Sequence, residues 1–223
     1  MRVGFVVAMD SEYSPFLDKL GSLLETHVVA GVEVCRYFFE GKDVFLAKCG
    51  IGEIASSAAT ALLIGKFDCN YIVNFGLVGA FDPSLRGALV AVRDVVHYDS
   101  DITAFGHALG APADFTNPFL SADPDMFPFF SEYGLPLVRL ASGDKFIADR
   151  VFSEKIATSF SADICDMEGA GIALVCVRSR VSFTMIKLVS DGADDSAAAD
   201  FGESKRRAFG RAFEVVLDVI RRA

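Results

Sequence analysis

Two kinds of apolar pattern alternate along the chain. Nearly continuous apolar runs rich in β-branched and aromatic residues read as buried strands: RVGFVVAM (2–9), NYIVNFGLVGA (70–80), LVAVRDVVHYDS (89–100), LVRLASGDKFI (137–147, a strand entering a loop) and SFTMIKLVSDGADD (182–195, a strand ending in a polar loop). VEVCRYFFEGKDVFLAKCG (32–50) reads as two strands joined by a Glu-Gly-Lys turn. SEYSPFLDKLGSLL (11–24) and the Ala-rich EIASSAATALLIGK (53–66) are predicted helices. The tail spaces Phe209, Phe213, Val216, Leu217 and Ile220 as one face of an amphipathic closing helix. Pro, Asp and Gly punctuate 106–136, which reads as loops around one short helix. With no repeat, low-complexity tract or linker, 1–223 is expected to be a single α/β domain, with polar clusters at strand C-termini where such folds place ligands.

Composition narrows this picture. Hydrophobic residues make up 52% and charged residues 23% of 223, the profile of a globular chain with one substantial core. Phe is abundant, at 21 against no Trp, which predicts an aromatic core with apolar surface to spare for a subunit interface. A net charge of -9 opposes nucleic acid and anionic membrane surfaces as partners. The five cysteines (Cys35, Cys49, Cys69, Cys165, Cys176) lack CxxC spacing, as expected of reduced thiols in the cytoplasm. The apolar N-terminal stretch is too short for a secretory leader and is followed at once by acid, and no run approaches the length of a membrane span.

Several clusters carry candidate chemistry. GIGEIA (50–55) has the glycine spacing of a dinucleotide turn, but the next strand ends in IVNFG without the companion acid, so a tight turn is the better reading. Glu12, in AMDSE, suits a helix N-terminus. His97, Asp99 and Asp101 match no standard metal-ligand spacing, and the three histidines are too dispersed for a His-centred triad. Ser190 and Asp191 end a strongly apolar strand, where an acid meets a ligand or caps the next segment. In ICDMEGAGIALVC (164–176), strand-like alternation puts Asp166 and Glu168 on one face. Buried carboxylates need partners, and a ligand's hydroxyl pair or backbone amides would serve Glu168.

Taken in order, VGFVVAMDSE, KCGIGEIAS, NFGLVGA, HYDSDITAFG, SGDKFI, DMEGAGIA and VSDGADD resemble the 5′-methylthioadenosine/S-adenosylhomocysteine nucleosidases of the purine nucleoside phosphorylase superfamily, over nearly the whole chain. The resemblance implies a twisted mixed β-sheet flanked by helices, a nucleoside phosphorylase-like three-layer α/β/α arrangement. It also implies a homodimer, a purine nucleoside as the small-molecule substrate, and neither metal nor organic cofactor. By the same resemblance, Asp191 is the acid at purine N7, Glu12 activates water and Glu168 holds the ribose hydroxyls. Met167 lies under the ribose, Phe146 stacks on the purine and the Ile147 backbone reads its edge. Ser190 is placed with the binding residues, and Ile51, Ile102 and Phe201 line a 5′-alkylthio pocket, with Phe105 arriving from the partner subunit.

Two positions depart from the pattern: Leu77 stands where a small hydroxyl residue is usual, and Lys187 where an arginine is expected. Both changes disfavour phosphate as nucleophile more than water, since leucine offers no hydrogen bond and lysine lacks arginine's planar fork. Hydrolysis is therefore the leading expectation. A phosphorylase, a futalosine-type nucleosidase and a catalytically impaired nucleoside- or adenine-binding protein are the alternatives.

Overall fold

The structure, a computed structural model, describes residues 1–204 and 210–223, so Phe209 of the closing helix lies outside the described residues. In chain order the elements are β1 (Arg2–Val7), α1 (Asp10–Leu17), β2 (Leu23–Val29), β3 (Val32–Phe39), β4 (Lys42–Lys48), α2 (Glu53–Phe67) and β5 (Tyr71–Ala80). There follow β6 (Leu89–His97), β7 (Phe119–Ser121), α3 (Phe127–Glu132), β8 (Leu137–Ser142), α4 (Arg150–Phe160) and β9 (Ile164–Asp166). The chain closes with α5 (Gly169–Ser179), β10 (Ser182–Asp191), α6 (Ala197–Ser204) and α7 (Gly210–Arg222).

Among the described residues, all ten strands join one mixed sheet in the order β10-β6-β8-β9-β5-β1-β4-β3-β2, with β7 beside β6. β10 also pairs in parallel with β5, so β5, β10, β6, β8 and β9 form a closed ring and β1 to β4 extend from it as an open sheet. The expected mixed α/β architecture is present, with its sheet curled shut at one end.

Alternation along β5 decides which layer each residue enters. Tyr71, Val73, Phe75 and Leu77 pack with Phe16 of α1, Phe129 of α3 and Phe213, Val216 and Ile220 of α7. Ile72, Val78 and Ala80 face Ala59 and Leu63 of α2 and Ile172 and Ala173 of α5. Every residue of β5 is buried, because the strand is covered on both faces and paired on both edges. The phenylalanine excess is spent partly here: the Phe16 ring meets Phe5, Phe75 and Phe213 edge-on at 4.7 to 5.6 Å. Pairs of this kind add about 0.5–1.5 kcal/mol each beyond area burial.

Two sequence expectations need correction. The helix predicted over 11–24 stops at Leu17; after a turn at Gly21 the chain becomes edge strand β2, paired with β3. Leu23 and Leu24 are each 51% exposed, so their apolar spacing reflected an edge strand and not a buried helical face. The alternation expected over 165–168 also fails. β9 ends at Asp166 and Glu168 is the N-cap of α5, because the Asp166 carboxylate takes the Gly169 N–H and turns the backbone into a helix. All five cysteines are free thiols, and no helix among the described residues is long and apolar enough to cross a membrane.

Candidate functional site

The pocket lies where β1, β5, β9 and β10 end, and Glu12, Glu168 and Asp191 all line it. Glu12 comes from the first turn of α1. Its Oε2 accepts the Ala8 and Met9 N–H groups at 3.1 and 3.0 Å, reaching back as a capping-box acid does. Its Oε1 accepts the Leu77 N–H at 2.9 Å. Burial pushes the Glu12 carboxyl up, while these N–H donors and the Lys187 ammonium pull against the rise. The N–H donors favour the ionised, proton-accepting form while burial makes it more basic than an ordinary glutamate, which suits a general base.

Glu168 is placed by α2. The turn at Gly50 and Gly52, both with positive φ, aims the Gly52 N–H at Glu168 Oε1 (3.0 Å), and Ser56 Oγ donates to the Glu168 carbonyl at 2.9 Å. The glycine spacing that imitated a dinucleotide turn thus serves a carboxylate of the same chain. Burial, then repulsion from Asp166, pushes the Glu168 carboxyl up to about 7, against the pull of Lys187 and the Gly52 amide.

Asp191 ends β10 at an irregularity: Val189 pairs with Val78 and Asp191 with Gly79, so Ser190 is the extra residue of a bulge. Asp191 Oδ1 accepts the Ala193 N–H at 2.9 Å, and Oδ2 lies 2.7 Å from the Ser190 hydroxyl, which is also 3.1 Å from the Val78 carbonyl. Burial raises the Asp191 carboxyl, against the Ala193 and Ser190 hydrogen bonds. The close approach requires Gly79, where an added Cβ would stand 2.9 Å from Asp191 Oδ1 and 3.1 Å from Cys165 Sγ.

The remaining expected residues divide. Ile51, Phe146, Ile147, Met167, Ser190 and Phe201 line the same pocket. Phe146 and Phe201 meet edge-on at its rim, ring centroids 5.8 Å apart. Ile102 and Phe105 are not brought to this pocket: they sit at the one-turn helix Thr103–Phe105 beyond β6, with Phe105 82% exposed. A place for Ile102 in its own chain's pocket is therefore not realised.

The two departures are also located. Leu77 is buried and lines the pocket beside Glu12. Lys187 is outside the lining, fully buried, with Nζ donating to Asp166 Oδ2 at 2.6 Å. Burial alone would lower its pKa, but Asp166, Glu168 and Glu12 around it outweigh that and raise it. Removing one partner of such a buried pair typically costs about 3–5 kcal/mol. His97 and Asp99 pair with each other at 2.8 Å, and among the described residues no group of three His, Cys, Asp or Glu is placed to hold a metal ion.

Sequence reasoning missed Glu53 and Ser142, which are buried behind Glu168 and Asp166. An acid in the first turn of a helix is ordinary, so Glu53 carried no mark of burial; the only available hint was its place within the GIGEIA turn.

The family model of the Phosphorylase superfamily matches residues 2–221. The chain is 34% identical over 209 residues to the 5′-methylthioadenosine/S-adenosylhomocysteine nucleosidase of Shewanella denitrificans, with 90% of each covered. It is 35% identical over 213 residues to the like-named protein of Shewanella frigidimarina, again with 90% of each covered. Among solved structures, the S-adenosylhomocysteine nucleosidase of Streptococcus pyogenes in complex with 5-methylthiotubericidin is similar with a TM-score of 0.92 at 27% identity, covering 100% of this chain and 97% of that one.

Proposed function

Because the chain belongs to the 5′-methylthioadenosine/S-adenosylhomocysteine nucleosidase family of the phosphorylase superfamily, we propose that it hydrolyses the N-ribosidic bond of these two nucleosides, releasing adenine and the 5-thioribose. The observation that carries this reading is the convergence of Glu12, Glu168 and Asp191 on one pocket. As the bond to the base lengthens, positive charge grows on the ribosyl carbon and negative charge on the purine. Asp191 gives its proton to N7 and so drains the second. Glu12 accepts a proton from water as the oxygen attacks C1′, and Glu168 accepts the ribose hydroxyls. This division resembles the paired carboxylates of glycosidases, with a heterocycle as leaving group. Phe146 and Phe201 face the purine and 5′ ends, and Met167 lies beneath the sugar.

Water is favoured over phosphate by Leu77 and Lys187. An incoming phosphate needs hydrogen-bond donors and a free cation; Leu77 presents hydrocarbon beside Glu12, and the Lys187 ammonium is committed to Asp166. In phosphate-free buffer, adenine release from both thioether nucleosides is expected at the same rate as in phosphate. A strict requirement for phosphate would replace the hydrolase with a phosphorylase, and tight adenine binding without turnover would leave a binding protein.

The functional unit in this reading is a homodimer in which Phe105, together with Ile102, closes the partner's pocket. The 82% exposure of Phe105 and 83% exposure of Ile54 support it. A monomeric mass in sedimentation would remove it.

A further inference from the structure

Behind the pocket, a single hydroxyl stands between two carboxyl groups. Ser142 Oγ is 2.5 Å from Glu53 Oε1 and 2.5 Å from Asp166 Oδ1. A serine hydroxyl owns one proton, so it can donate to one of these oxygens and must receive a proton from the other. Asp166 is already committed as an acceptor, with a lone pair of Oδ1 left for Ser142: Oδ2 takes the Lys187 ammonium at 2.6 Å, and Oδ1 takes the Gly169 N–H at 3.1 Å. Glu53 accepts the Gly171 N–H through Oε2, which leaves Oε1 to carry a proton toward Ser142. Glu53 is 5% exposed and Ser142 fully buried, so water cannot relieve two anions meeting across one hydroxyl.

We propose that Glu53 is a positioning residue of this site and works in its neutral form: it donates to Ser142, Ser142 donates to Asp166, and Asp166 holds the Lys187 ammonium beside Glu12 and Glu168. The effect on turnover rests on the hydrolase reading given above; the proton on Glu53 does not. The groups facing Glu53 come from several elements. They are Asp166 at the end of β9, Glu168 at the start of α5, and Tyr98 after β6, while Asp144 after β8 accepts the Glu53 N–H at 2.8 Å. Lys187 of β10 is reached through Asp166. Burial, then Asp166, pushes the Glu53 carboxyl up to about 8, against the hydrogen bonds that Ser142 and Gly171 give to its ionised form. When Glu53 ionises, Ser142 turns toward it, Asp166 loses a donor, and the support beneath Lys187 and Glu168 loosens. Activity therefore falls on the alkaline side.

The sign for stability follows from linkage. Between the ordinary glutamate range near 4.5 and about 8, the folded chain keeps a proton that the unfolded chain has released. Glu53 therefore costs stability progressively as pH rises through that window, and the cost levels off above it. Glu53→Gln keeps both hydrogen bonds, donating to Ser142 and accepting from Gly171, without the proton. Glu53→Leu keeps neither.

Thermal midpoints of wild type, Glu53→Gln and Glu53→Leu between pH 5 and 9, with pH profiles of kcat/KM for adenine release, test the inference. The midpoint of Glu53→Gln minus that of wild type is expected to grow from pH 5 to 8 and then stay flat. Its alkaline limb is expected to move up by about one pH unit or more, and its kcat at pH 7 to exceed that of Glu53→Leu by about tenfold, as loss of a buried hydrogen bond would give. A midpoint difference that is flat from pH 5 to 8 overturns the neutral Glu53. Superimposable alkaline limbs, or equal kcat for the two variants, overturn the positioning role. If neither nucleoside is cleaved but the midpoint difference still grows, the neutral Glu53 stands and the proposed reaction falls.

Discussion

Asp191→Asn is expected to lower kcat for adenine release by about 10²–10⁴-fold, the range for removing a positioned acid or base. Asparagine has the same shape and still accepts the Ala193 N–H, so the end of β10 stays in place. It can offer N7 a hydrogen bond, but it has no proton to transfer as the bond breaks. The loss should therefore fall on kcat with little change in KM, the pattern of an interaction made chiefly in the transition state. Steady-state assays on methylthioadenosine give both constants. A variant with near wild-type kcat would remove Asp191 from the acid role.

Glu12→Gln is expected to cost a similar factor, about 10²–10⁴ in kcat, by removing the base that takes the proton from water. It also disturbs three backbone amides. A carboxylate accepts the Ala8, Met9 and Leu77 N–H groups through two oxygens, whereas an amide has one oxygen and turns an NH₂ toward the others. A buried donor left unmatched costs about 1–3 kcal/mol, so a fall in the thermal midpoint should accompany the fall in rate. The pH profile separates the two effects. Burial raises the wild-type Glu12 carboxyl, so protonation silences the base at a higher pH than an ordinary glutamate would allow. Wild type is expected to show an acid limb that begins above the usual carboxylate range, and Glu12→Gln to lack it. An unchanged acid limb in the variant would assign that limb elsewhere.

Much of this was legible from residues alone because strands buried on both faces announce themselves. NYIVNFGLVGA could hardly be anything but an inner strand, and β5 is one along its full length. The three carboxylates were legible as a set only through the order of the motifs, since an acid at the end of a strand or start of a helix is common in isolation. The failures have a shared cause, which is that short-range spacing does not report what lies across the fold. Leu23 and Leu24 repeat like a helix face but lie on a solvent-facing edge. Asp166 and Glu168 alternate like a strand, yet an aspartate that caps the following helix bends the backbone between them. Glu53 and Ser142, 89 positions apart, gave no pattern at all; their meeting depends on α2 packing against α5 while β8 pairs with β9.

The position of β10 has a consequence for how the chain matures. Among the described residues it follows every other strand in chain order, yet it is inserted between β5 and β6, which are synthesised far earlier. Until it arrives, the long apolar strand β5 has one bare edge, the kind that invites pairing with other chains. Chains truncated before Ser182 are accordingly expected to bind a hydrophobic dye and to aggregate, and soluble monomers in light scattering would contradict this. Asp191 travels on that same strand, so with Asp191 as the proposed acid the nascent protein is expected to stay chemically silent until the ring of strands is sealed.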